Sequence, residues 1–475
     1  MNEVIVDGKS LTIEQVVAVA NDPDCPVRLA EAAIPAIARS AEVVAKFASD
    51  HKIAYGITTG FGAFKDKLIP PEDVTQLQRN ILLSHAVGVG QHLDARKTRA
   101  MMLIRINTLA RGYSGIRLET LSLLLELLNR NILPVIPEKG SLGASGDLAP
   151  LAHMSLPLIG EGEVFYNGER VAASEALAAA GLAPVAPRPK EGLALTNGTT
   201  MMTAFGALEV AKAELLMRTA NAAAALSLEA QNGTLRAYDP RIHALRPQAF
   251  QAEIAAEMRA LLEGTTFARE DDPRNIQDAY TLRCVPQVHG AIAHAISYAR
   301  TVVTAELNAV TDNPLVFEGA EGDDEILSGG NFHGEPLALA LDFLALAITD
   351  LGNISERRIA KLVDNQSPLA PYPSFLTENG GLNSGFMLLQ YTAAALASEN
   401  KTLCHPATSD NIPSSGNVED HVSMGANAAL HTRDILLNVQ SILAIELMCA
   451  CQALDFRKKA HPNLNQGSGT GKAYQ

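Results

Sequence analysis

Three adjacent residues, Ala144, Ser145 and Gly146, could react with one another to form an electrophile. The amide nitrogen of Gly146 can attack the carbonyl carbon of Ala144, and the carbonyl oxygen then leaves as one water. Loss of the Ser145 hydroxyl as a second water leaves an exocyclic methylidene. Glycine leaves the attacking nitrogen unobstructed, alanine keeps the carbonyl open, and serine carries the hydroxyl that leaves. The surrounding loop, GSLGASGDLAP at 140–150, could instead be a turn in which Ser145 or Asp147 caps the next helix. The tripeptide alone is compatible with both interpretations.

Four other polar segments interrupt the apolar runs of the chain: YGITTGFGAF from Tyr55, LLSHAVGVGQ from Leu82, QDAYTLRCVPQ from Gln277 and SSGNVEDHVSMG from Ser414. Taken singly, Tyr55 could be an ordinary loop tyrosine and His85 a hydrogen-bonded helix histidine. Arg283 could belong to a surface ion pair, and Glu419 to a solvated run of charge. Because all four occur in one chain with the reactive tripeptide, they favour a shared site that binds a charged substrate and moves protons.

The chain resembles the aromatic amino acid ammonia-lyases and aminomutases, and most of all the members that act on histidine. Besides the segments above, the resemblance rests on the motifs VIVDGKSLT, RINTLARGYSGIR, EGLALTNGT, ELNAVTDNPLVF, SGGNFHGEPLALALD and NSGFMLLQYTAAALASENK, which extend from Val4 to the end of the sequence. It implies a carbon–nitrogen lyase in which Ala144, Ser145 and Gly146 cyclise to a methylidene-imidazolone. It also implies that no external cofactor and no metal ion is needed.

The resemblance also assigns roles to residues around the electrophile. Tyr55 matches the catalytic tyrosine, whose ordinary pKa of about 10 means that a base near neutral pH needs help from positive charge or hydrogen bonds. Asn197 matches an asparagine that hydrogen-bonds near the electrophile and the substrate amine. Phe332 matches an aromatic wall beside the prosthetic ring.

The carboxylate of the substrate is expected to bind Arg283, because a planar guanidinium can hold a carboxylate through two hydrogen bonds. Gln277 and Tyr280 lie beside it in the sequence and are expected in the same part of the site. The resemblance implies a homotetramer with sites built from more than one subunit, and we expect the Tyr55 loop to reach the prosthetic group of a neighbouring chain.

Ser84-His85 and the Glu419 carboxylate favour L-histidine as substrate and urocanate as product. An imidazole offers one donor and one acceptor, which a carboxylate and a second imidazole can satisfy, whereas a phenyl ring would leave the carboxylate unpaired. Thr58 and Val418 depart from the histidine-specific pattern, which has asparagine and glutamine there. A tyrosine or phenylalanine ammonia-lyase or aminomutase therefore stays an alternative, as does a catalytically silent homologue with a structural role.

The apolar spacing predicts a mainly α fold, with a central bundle of long helices and a smaller mixed N-terminal domain that carries short strands. Long helices are expected from Leu118, Met201, Pro336 and Gly425. EVIVDG and GEVFYNGERV indicate strands, the second a hairpin that turns at Asn167-Gly168. An Ala/Pro-rich connector predicts two domains, 1–195 with the cyclising loop and 196–475 with the long helices.

The composition is that of a globular protein, with 47% hydrophobic and 19% charged residues. A formal charge of −14 without basic clusters argues against nucleic acid as a partner. The five cysteines are scattered, and the N-terminal segment does not resemble a secretory signal, which predicts a cytoplasmic protein without a membrane partner. The helices that are apolar on most faces predict burial against other copies of the chain.

Overall fold

The computed structural model describes residues 3–270, 272–319, 323–364 and 371–475, and the chain is mainly α-helical. The α-helices are α1 (Ile13–Asn21), α2 (Ile34–Ser49), α3 (Val74–His85), α4 (Ala95–Ala110), α5 (Leu118–Asn129), α6 (Leu148–Ser155), α7 (Ala173–Ala179), α8 (Glu191–Thr196), α9 (Thr200–Ala230), α10 (Pro240–Ala244), α11 (Gln251–Leu261), α12 (Tyr280–Arg283), α13 (Val285–Leu307), α14 (Glu335–Val363), α15 (Met387–Leu403), α16 (Gly425–Ala460) and α17 (Ser468–Tyr474). The predicted fold class and the four predicted long helices, which are α5, α9, α14 and α16, are confirmed.

The strands are short and form small, separate sheets. They are β1 (Val4–Val6), β2 (Val27–Leu29), β3 (Val89–His92), β4 (Leu133–Pro134), β5 (Pro137–Lys139), β6 (Glu163–Tyr166), β7 (Glu169–Ala172), β8 (Leu315–Phe317) and β9 (Glu325–Leu327). β1 pairs with β2 in parallel, β3 with β5 and β8 with β9 in antiparallel fashion, and β4, β6 and β7 form a three-stranded antiparallel sheet. The predicted hairpin is confirmed, since Asn167 and Gly168 have positive φ angles of 51° and 83° between β6 and β7.

The chain divides into two compact units, each assembled from several segments. The first unit contains Met1–Ala211, Arg300–Leu341 and Pro406–Leu430, and the second contains Lys212–Ala299, Asp342–His405 and His431–Gln475. The predicted N-terminal domain, 1–195, lies entirely within the first unit. The predicted single boundary near residue 195 stays a prediction. Each unit is assembled from three segments that are separate in the sequence.

Within the second unit, segments of the long helices pack around one apolar core. It includes Leu226 and Ala230 of α9, Ile359 and Leu362 of α14, Ala393 of α15, and Ile442 and Cys449 of α16. Because each helix contributes small and large apolar side chains on facing surfaces, burial rather than helix propensity holds these segments together.

Two helices, α14 and α16, are long and apolar enough by length and composition to cross a membrane. The most apolar window of α14 is 72% buried inside the protein and that of α16 is 50% buried, which is typical of core helices. α14 extends over 29 residues, as the helix predicted from Pro336 requires.

The first unit places the polar segments of the sequence at the ends of its helices. α3 ends at His85, and α8 ends at Thr196 directly before Asn197. α6 begins at Leu148, one residue beyond the tripeptide, and α16 begins at Gly425, where the Glu419 segment ends. Helix ends leave backbone donors and acceptors without partners in the helix, so these loops can hold a site through backbone contacts.

Candidate active site

The tripeptide lies in a loop between β5 and α6 that packs closely against the segment after α8. The Asp147 amide donates to the Gly198 carbonyl at 2.7 Å, and the Gly198 amide donates to the Ser145 carbonyl at 3.3 Å. Gly146 has φ +74°, and a Cβ placed there would lie 2.1 Å from the Gly198 carbonyl oxygen. Only glycine therefore fits at 146, for reasons of both backbone angle and space.

The two atoms that would join in a cyclisation are free of other partners. Among the residues that the structure describes, none accepts a hydrogen bond from the Gly146 amide and none donates one to the Ala144 carbonyl. Ala144 is 7% exposed, whereas Ser145 is partly exposed. The loop thus holds both groups away from competing backbone hydrogen bonds, and it leaves the serine hydroxyl accessible.

The Asp147 carboxylate, which is fully buried, does not cap α6. It accepts hydrogen bonds from the Ser141 hydroxyl at 2.9 Å and from the Met202 amide in the first turn of α9 at 3.0 Å. Burial raises the pKa of Asp147 to about 6, although both hydrogen bonds oppose the shift. The interpretation of this loop as a simple helix-capping turn is therefore wrong for Asp147, which ties the loop to α9 instead.

Asn197 follows α8 and is 3% exposed. Its amide nitrogen Nδ2 donates to the carbonyl of Asn313 at 2.9 Å, whereas its buried Oδ1 has no hydrogen-bond partner in the part of the chain that the structure describes. A buried oxygen without a donor costs free energy, so this acceptor is one that a bound ligand or prosthetic group can satisfy.

A cavity of about 1130 Å³ opens beside the tripeptide, and its walls belong to the first unit. Eight residues singled out in the sequence analysis line it: Tyr55, Ser84, His85, Ser145, Asn197, Phe332, Val418 and Glu419. The structure therefore brings together side chains from four of the five polar segments. A volume of this size accommodates an amino acid with an aromatic side chain.

Tyr55 lies in the loop after α2, and its side chain is partly buried on the cavity wall. The phenol oxygen accepts a hydrogen bond from the Gly62 amide at 3.1 Å, and the ring meets Phe61 edge to face. Burial raises the pKa of Tyr55, the Gly62 amide lowers it, and the charge of Glu419 raises it. Within one chain, the surroundings of Tyr55 therefore favour the phenol over the phenolate.

Because Tyr55 and Ser145 line the same cavity of a single chain, the expectation that Tyr55 reaches the prosthetic group of a neighbouring chain is wrong. The short loop from α2 to the cavity wall suffices to place it beside the tripeptide of its own chain.

Glu419, in the segment before α16, and His85, the last residue of α3, both line the cavity beside Ser145. Glu419 Oε1 accepts a hydrogen bond from the Ser145 hydroxyl at 3.4 Å, and Oε2 accepts one from the Ser414 hydroxyl at 3.1 Å. His85 Nδ1 lies 3.0 Å from the Ser84 hydroxyl. Burial lowers the pKa of His85, while a backbone hydrogen bond with Ile81 and the charge of Glu419 oppose this shift.

The two departures from the histidine-specific pattern have different surroundings. The Thr58 hydroxyl donates to the Lys52 carbonyl at 2.8 Å and accepts from the Ala54 amide at 3.0 Å, and Thr58 does not line the cavity. Val418 does line it, and is 48% exposed. Thr58 therefore stabilises its own loop, whereas Val418 adds an apolar surface to the wall.

Gln277, Tyr280 and Arg283 lie in the second unit and do not line the cavity. Gln277 is exposed, Tyr280 is 70% exposed, and the Arg283 guanidinium lies 4.6 Å from the centre of the Tyr280 ring. The Arg283 Nε is buried and has no hydrogen-bond partner. The predicted carboxylate-binding group is thus a separate cluster within one chain.

Three side chains of the first unit, His333, Glu335 and His421, offer ligand atoms that all lie within 4.8 Å of one another. This set was not anticipated from the sequence, where no metal was expected. Both ring nitrogens of His333 already have partners, because Nδ1 accepts from the Glu335 amide and Nε2 lies 3.3 Å from the His421 carbonyl. A cation bound there would have to displace one of these hydrogen bonds.

Two further residues support the site and were missed by the sequence analysis. Ser414 holds the Glu419 carboxylate, and the two residues also exchange backbone hydrogen bonds at 2.9 and 3.3 Å. Asn313 supplies the carbonyl that orients Asn197. Both residues belong to motifs quoted above, SSGNVEDHVSMG and ELNAVTDNPLVF. The role of Asn313 could not be read from the sequence, because every residue has a backbone carbonyl.

Comparison with known proteins places the chain among the aromatic amino acid lyases. The model of the family described as aromatic amino acid lyase matches residues 11–475. A histidine ammonia-lyase of Chloroflexus aurantiacus is 59% identical over 478 residues, which cover 100% of this chain and 91% of the relative. The crystal structure of histidine ammonia-lyase from Trypanosoma cruzi is similar with a TM-score of 0.90 at 42% identity, covering 100% of this chain and 88% of the other. The tyrosine aminomutase of Streptomyces globisporus is similar with a TM-score of 0.93 at 37% identity, covering 100% and 91%.

Proposed function

The chain belongs to the aromatic amino acid lyase family, and we propose that it eliminates ammonia from L-histidine to give urocanate. The reaction is that of a carbon–nitrogen lyase acting on an amino acid. The observation that carries the proposal is the cavity in which the Ser145 hydroxyl meets the Glu419 carboxylate, with Tyr55 and His85 on the same wall.

The proposed electrophile is a methylidene-imidazolone formed from Ala144, Ser145 and Gly146. Three observations support cyclisation of these residues. The Gly146 amide and the Ala144 carbonyl have no hydrogen-bond partner among the described residues, and no side chain fits at position 146. The buried Asn197 oxygen also has no partner there and could accept a hydrogen bond from the group. When formed, this group supplies an electrophile that makes the amine of the substrate a better leaving group.

Tyr55 is proposed as the base that removes the β-proton, because it is the phenol on the cavity wall. The single backbone donor at 3.1 Å stabilises the phenolate, but burial and Glu419 oppose it. A positive charge near Tyr55 in the assembled enzyme is therefore needed to bring its pKa towards the working range.

The choice of histidine follows from the pairing of Glu419 with His85. A carboxylate accepts the donor nitrogen of the substrate imidazole, and the imidazole of His85 can donate to or accept from the other nitrogen according to its tautomer. A phenyl side chain would offer no donor to Glu419 Oε1, which would also lose the Ser145 hydroxyl on cyclisation, so that only the Ser414 hydroxyl on Oε2 would remain. The alternative, a tyrosine or phenylalanine ammonia-lyase or aminomutase, is favoured by the apolar surface of Val418 in the same cavity.

The substrate carboxylate is proposed to bind Arg283, with Gln277 and Tyr280 beside it, and these residues are proposed to come from another copy of the chain. Support comes from their placement in the second unit, from the exposure of Tyr280, and from the unpartnered Nε of Arg283. A homotetramer with shared sites is the assembly that we propose, in the cytoplasm.

Parallel incubation of the purified protein with L-histidine, L-tyrosine and L-phenylalanine tests the substrate. The unsaturated acids formed are followed by their ultraviolet absorbance and the ammonia by a coupled assay. We expect urocanate and ammonia in equal amounts from histidine, with at most slow turnover of the other two. Turnover of tyrosine without turnover of histidine would establish the alternative, and a β-amino acid product would establish an aminomutase.

A further inference from the structure

A fully buried ion pair lies behind Asn197 in the first unit. Lys190 and Asp312 are both 0% exposed at the side chain, and Lys190 Nζ lies 2.7 Å from Asp312 Oδ2. Lys190 also has a left-handed backbone conformation, with φ +70°, directly before α8. Two charges removed from water cost several kcal/mol each, which a hydrogen-bonded pair only partly recovers. Such a pair contributes little to stability, so the presence of Lys190 and Asp312 next to the site is better explained by a role in the site.

Asp312 connects this pair to Asn197 through one intervening residue. Its second oxygen, Oδ1, accepts the Asn313 amide at 2.7 Å, and the Asn313 carbonyl accepts Asn197 Nδ2 at 2.9 Å. The side chain of Asn313 also accepts the Gly329 amide at 2.7 Å, in the segment that leads to Phe332. The carboxylate therefore holds the Asn313 amide, and the carbonyl of the same residue, in the next peptide group, orients the Asn197 amide.

The segment at 197–198 has no room to move independently of this network. A Cβ placed on Gly198 would lie 2.0 Å from the Thr311 carbonyl and 2.9 Å from Nη1 of Arg105. On its other side, the Gly198 carbonyl and amide are bonded to Asp147 and Ser145. The segment is thus held between the tripeptide loop and the 311–313 segment, so a shift of Asn313 is passed to Asn197.

The orientation of Asn197 matters because its two polar atoms have opposite roles. With Nδ2 bonded to Asn313, Oδ1 is left as a buried acceptor without a partner among the described residues, in a residue that lines the cavity. A rotated amide would present a donor instead, which would repel an ammonium group and hydrogen-bond only to an acceptor.

We propose that Lys190 and Asp312 are positioning residues that hold the Asn197 amide with its oxygen towards the reacting amine. The inference rests on the proposed function for the role of Asn197, but it concerns two residues that do not touch the cavity. Arg105, whose Nε and Nη1 have no partner among the described residues, is a second buried cation, and its charge interacts with that of Asp312.

A double-mutant cycle tests the coupling of Asp312 to Asn197. The proteins are the wild type, Asp312→Asn, Asn197→Ala and the double variant, assayed with whichever of the three amino acids the wild type deaminates. We expect Asp312→Asn to lower kcat by roughly ten- to a hundredfold, because a displacement of about 1 Å can cost a factor of that size, with less than about a threefold change in KM. In the Asn197→Ala background the same substitution should change kcat less than about twofold.

Glu446→Gln is the matched control, because Glu446 and Arg358 form an equally buried pair within the second unit. Its effect should be the same in both Asn197 backgrounds. If Asp312→Asn does not fold, the neutral pair Lys190→Gln with Asp312→Asn takes its place, and folding is checked by circular dichroism and the intact mass.

Equal losses from Asp312→Asn in the two backgrounds would overturn the proposal, and so would a failure of both Asp312 variants to fold, which would make the pair purely structural. Failure of the histidine assignment alone leaves the cycle measurable on the true substrate. The two proposals can thus fail separately.

Discussion

The Ser145 hydroxyl lies 3.4 Å from Oε1 of Glu419, although 274 positions separate the two residues in the sequence. Ser145 belongs to the loop before α6 and Glu419 to the segment before α16, so two helix starts meet at one cavity. This contact places the group proposed to select the substrate beside the residue proposed to become the electrophile. Selectivity and chemistry can therefore be separated by substitution at one of the two positions.

Glu419→Gln should lower kcat/KM for histidine by roughly ten- to a hundredfold, because a hydrogen bond to a charged group is worth about 1.5 to 3 kcal/mol. Turnover of tyrosine or phenylalanine should fall much less, or rise. Asp420→Asn is the control, since it removes the same charge from the exposed neighbouring residue and should leave all three rates nearly unchanged. Equal losses on every substrate would assign Glu419 to general catalysis or to the architecture of the loop.

Tyr55→Phe should lower kcat by about a hundred- to ten-thousandfold, the usual contribution of a general base, and its mass should still fall short of its own translated sequence by two waters. Burial and Glu419 raise the pKa of Tyr55, so the phenolate fraction and kcat/KM should increase as the pH rises above neutral. In the Glu419→Gln protein, the increase of kcat/KM with pH should begin at a lower pH, because the Glu419 charge is one cause of the raised pKa of Tyr55. Tyr166→Phe serves as a control on the β6 hairpin, and a Tyr55→Phe enzyme of normal activity would refute the role of the phenol.

Mixing inactive chains tests the shared site. Ser145→Ala and Arg283→Ala chains, unfolded and reassembled together, should recover part of the activity, because a complete site can form from the intact cavity of one chain and the intact Arg283 of another. Ser145→Ala and Tyr55→Phe chains should recover none, since both residues line the cavity of the same chain. Light scattering of the same samples gives the oligomeric state, and a stable, active monomer would contradict the assembly.

The stability of the protein should depend on pH through Asp147. The carboxyl has a pKa of about 6 in the folded protein and an ordinary value of 3.8. Between these values the folded protein keeps a proton that the unfolded chain has released, so the free energy of unfolding falls as pH rises through this window. The loss is about 3 kcal/mol, at about 1.4 kcal/mol per pKa unit.

Asp147→Asn has no such titration. The difference in unfolding free energy between wild type and variant should therefore change by about that amount from pH 4 to pH 7. Denaturant unfolding of both proteins at several pH values measures it. If the unfolding free energies of the wild type and Asp147→Asn change in parallel with pH over this range, Asp147 does not titrate as described. Asp420→Asn, which removes an exposed carboxyl, is the control.

Periodicity and turn residues were enough to predict much of the fold. α9, α14 and α16 were recognisable because their apolar spacing extends over many turns, and the β6–β7 hairpin because Asn167-Gly168 suits a turn with two positive φ angles. The interleaving of the two units could not be predicted, because it depends on which distant segments pack together rather than on local preference.

The candidate site was predictable in its residue types but not in its contacts. Glu419, His85 and Tyr55 were identified, yet the hydroxyl of Ser414 and the carbonyl of Asn313 that hold the site were not, since any serine or backbone group offers the same atoms. Thr58 was treated as a residue that bears on the substrate, whereas its hydroxyl is bonded to its own loop. Which groups these side chains contact depends on the path of the folded backbone, which residue type alone does not reveal.

The claim on which the account depends most is that the chain makes its own electrophile. Intact mass spectrometry of the purified wild-type protein, with a Ser145→Ala protein beside it, measures this directly. The account predicts a wild-type mass below that of the translated sequence by about 36 Da, two water molecules, with the deficit confined to the peptide that contains 144–146. The Ser145→Ala protein should lack this deficit of two waters and should not form urocanate. A wild-type mass equal to that of the translated sequence, in a protein that still deaminates histidine, would contradict the account.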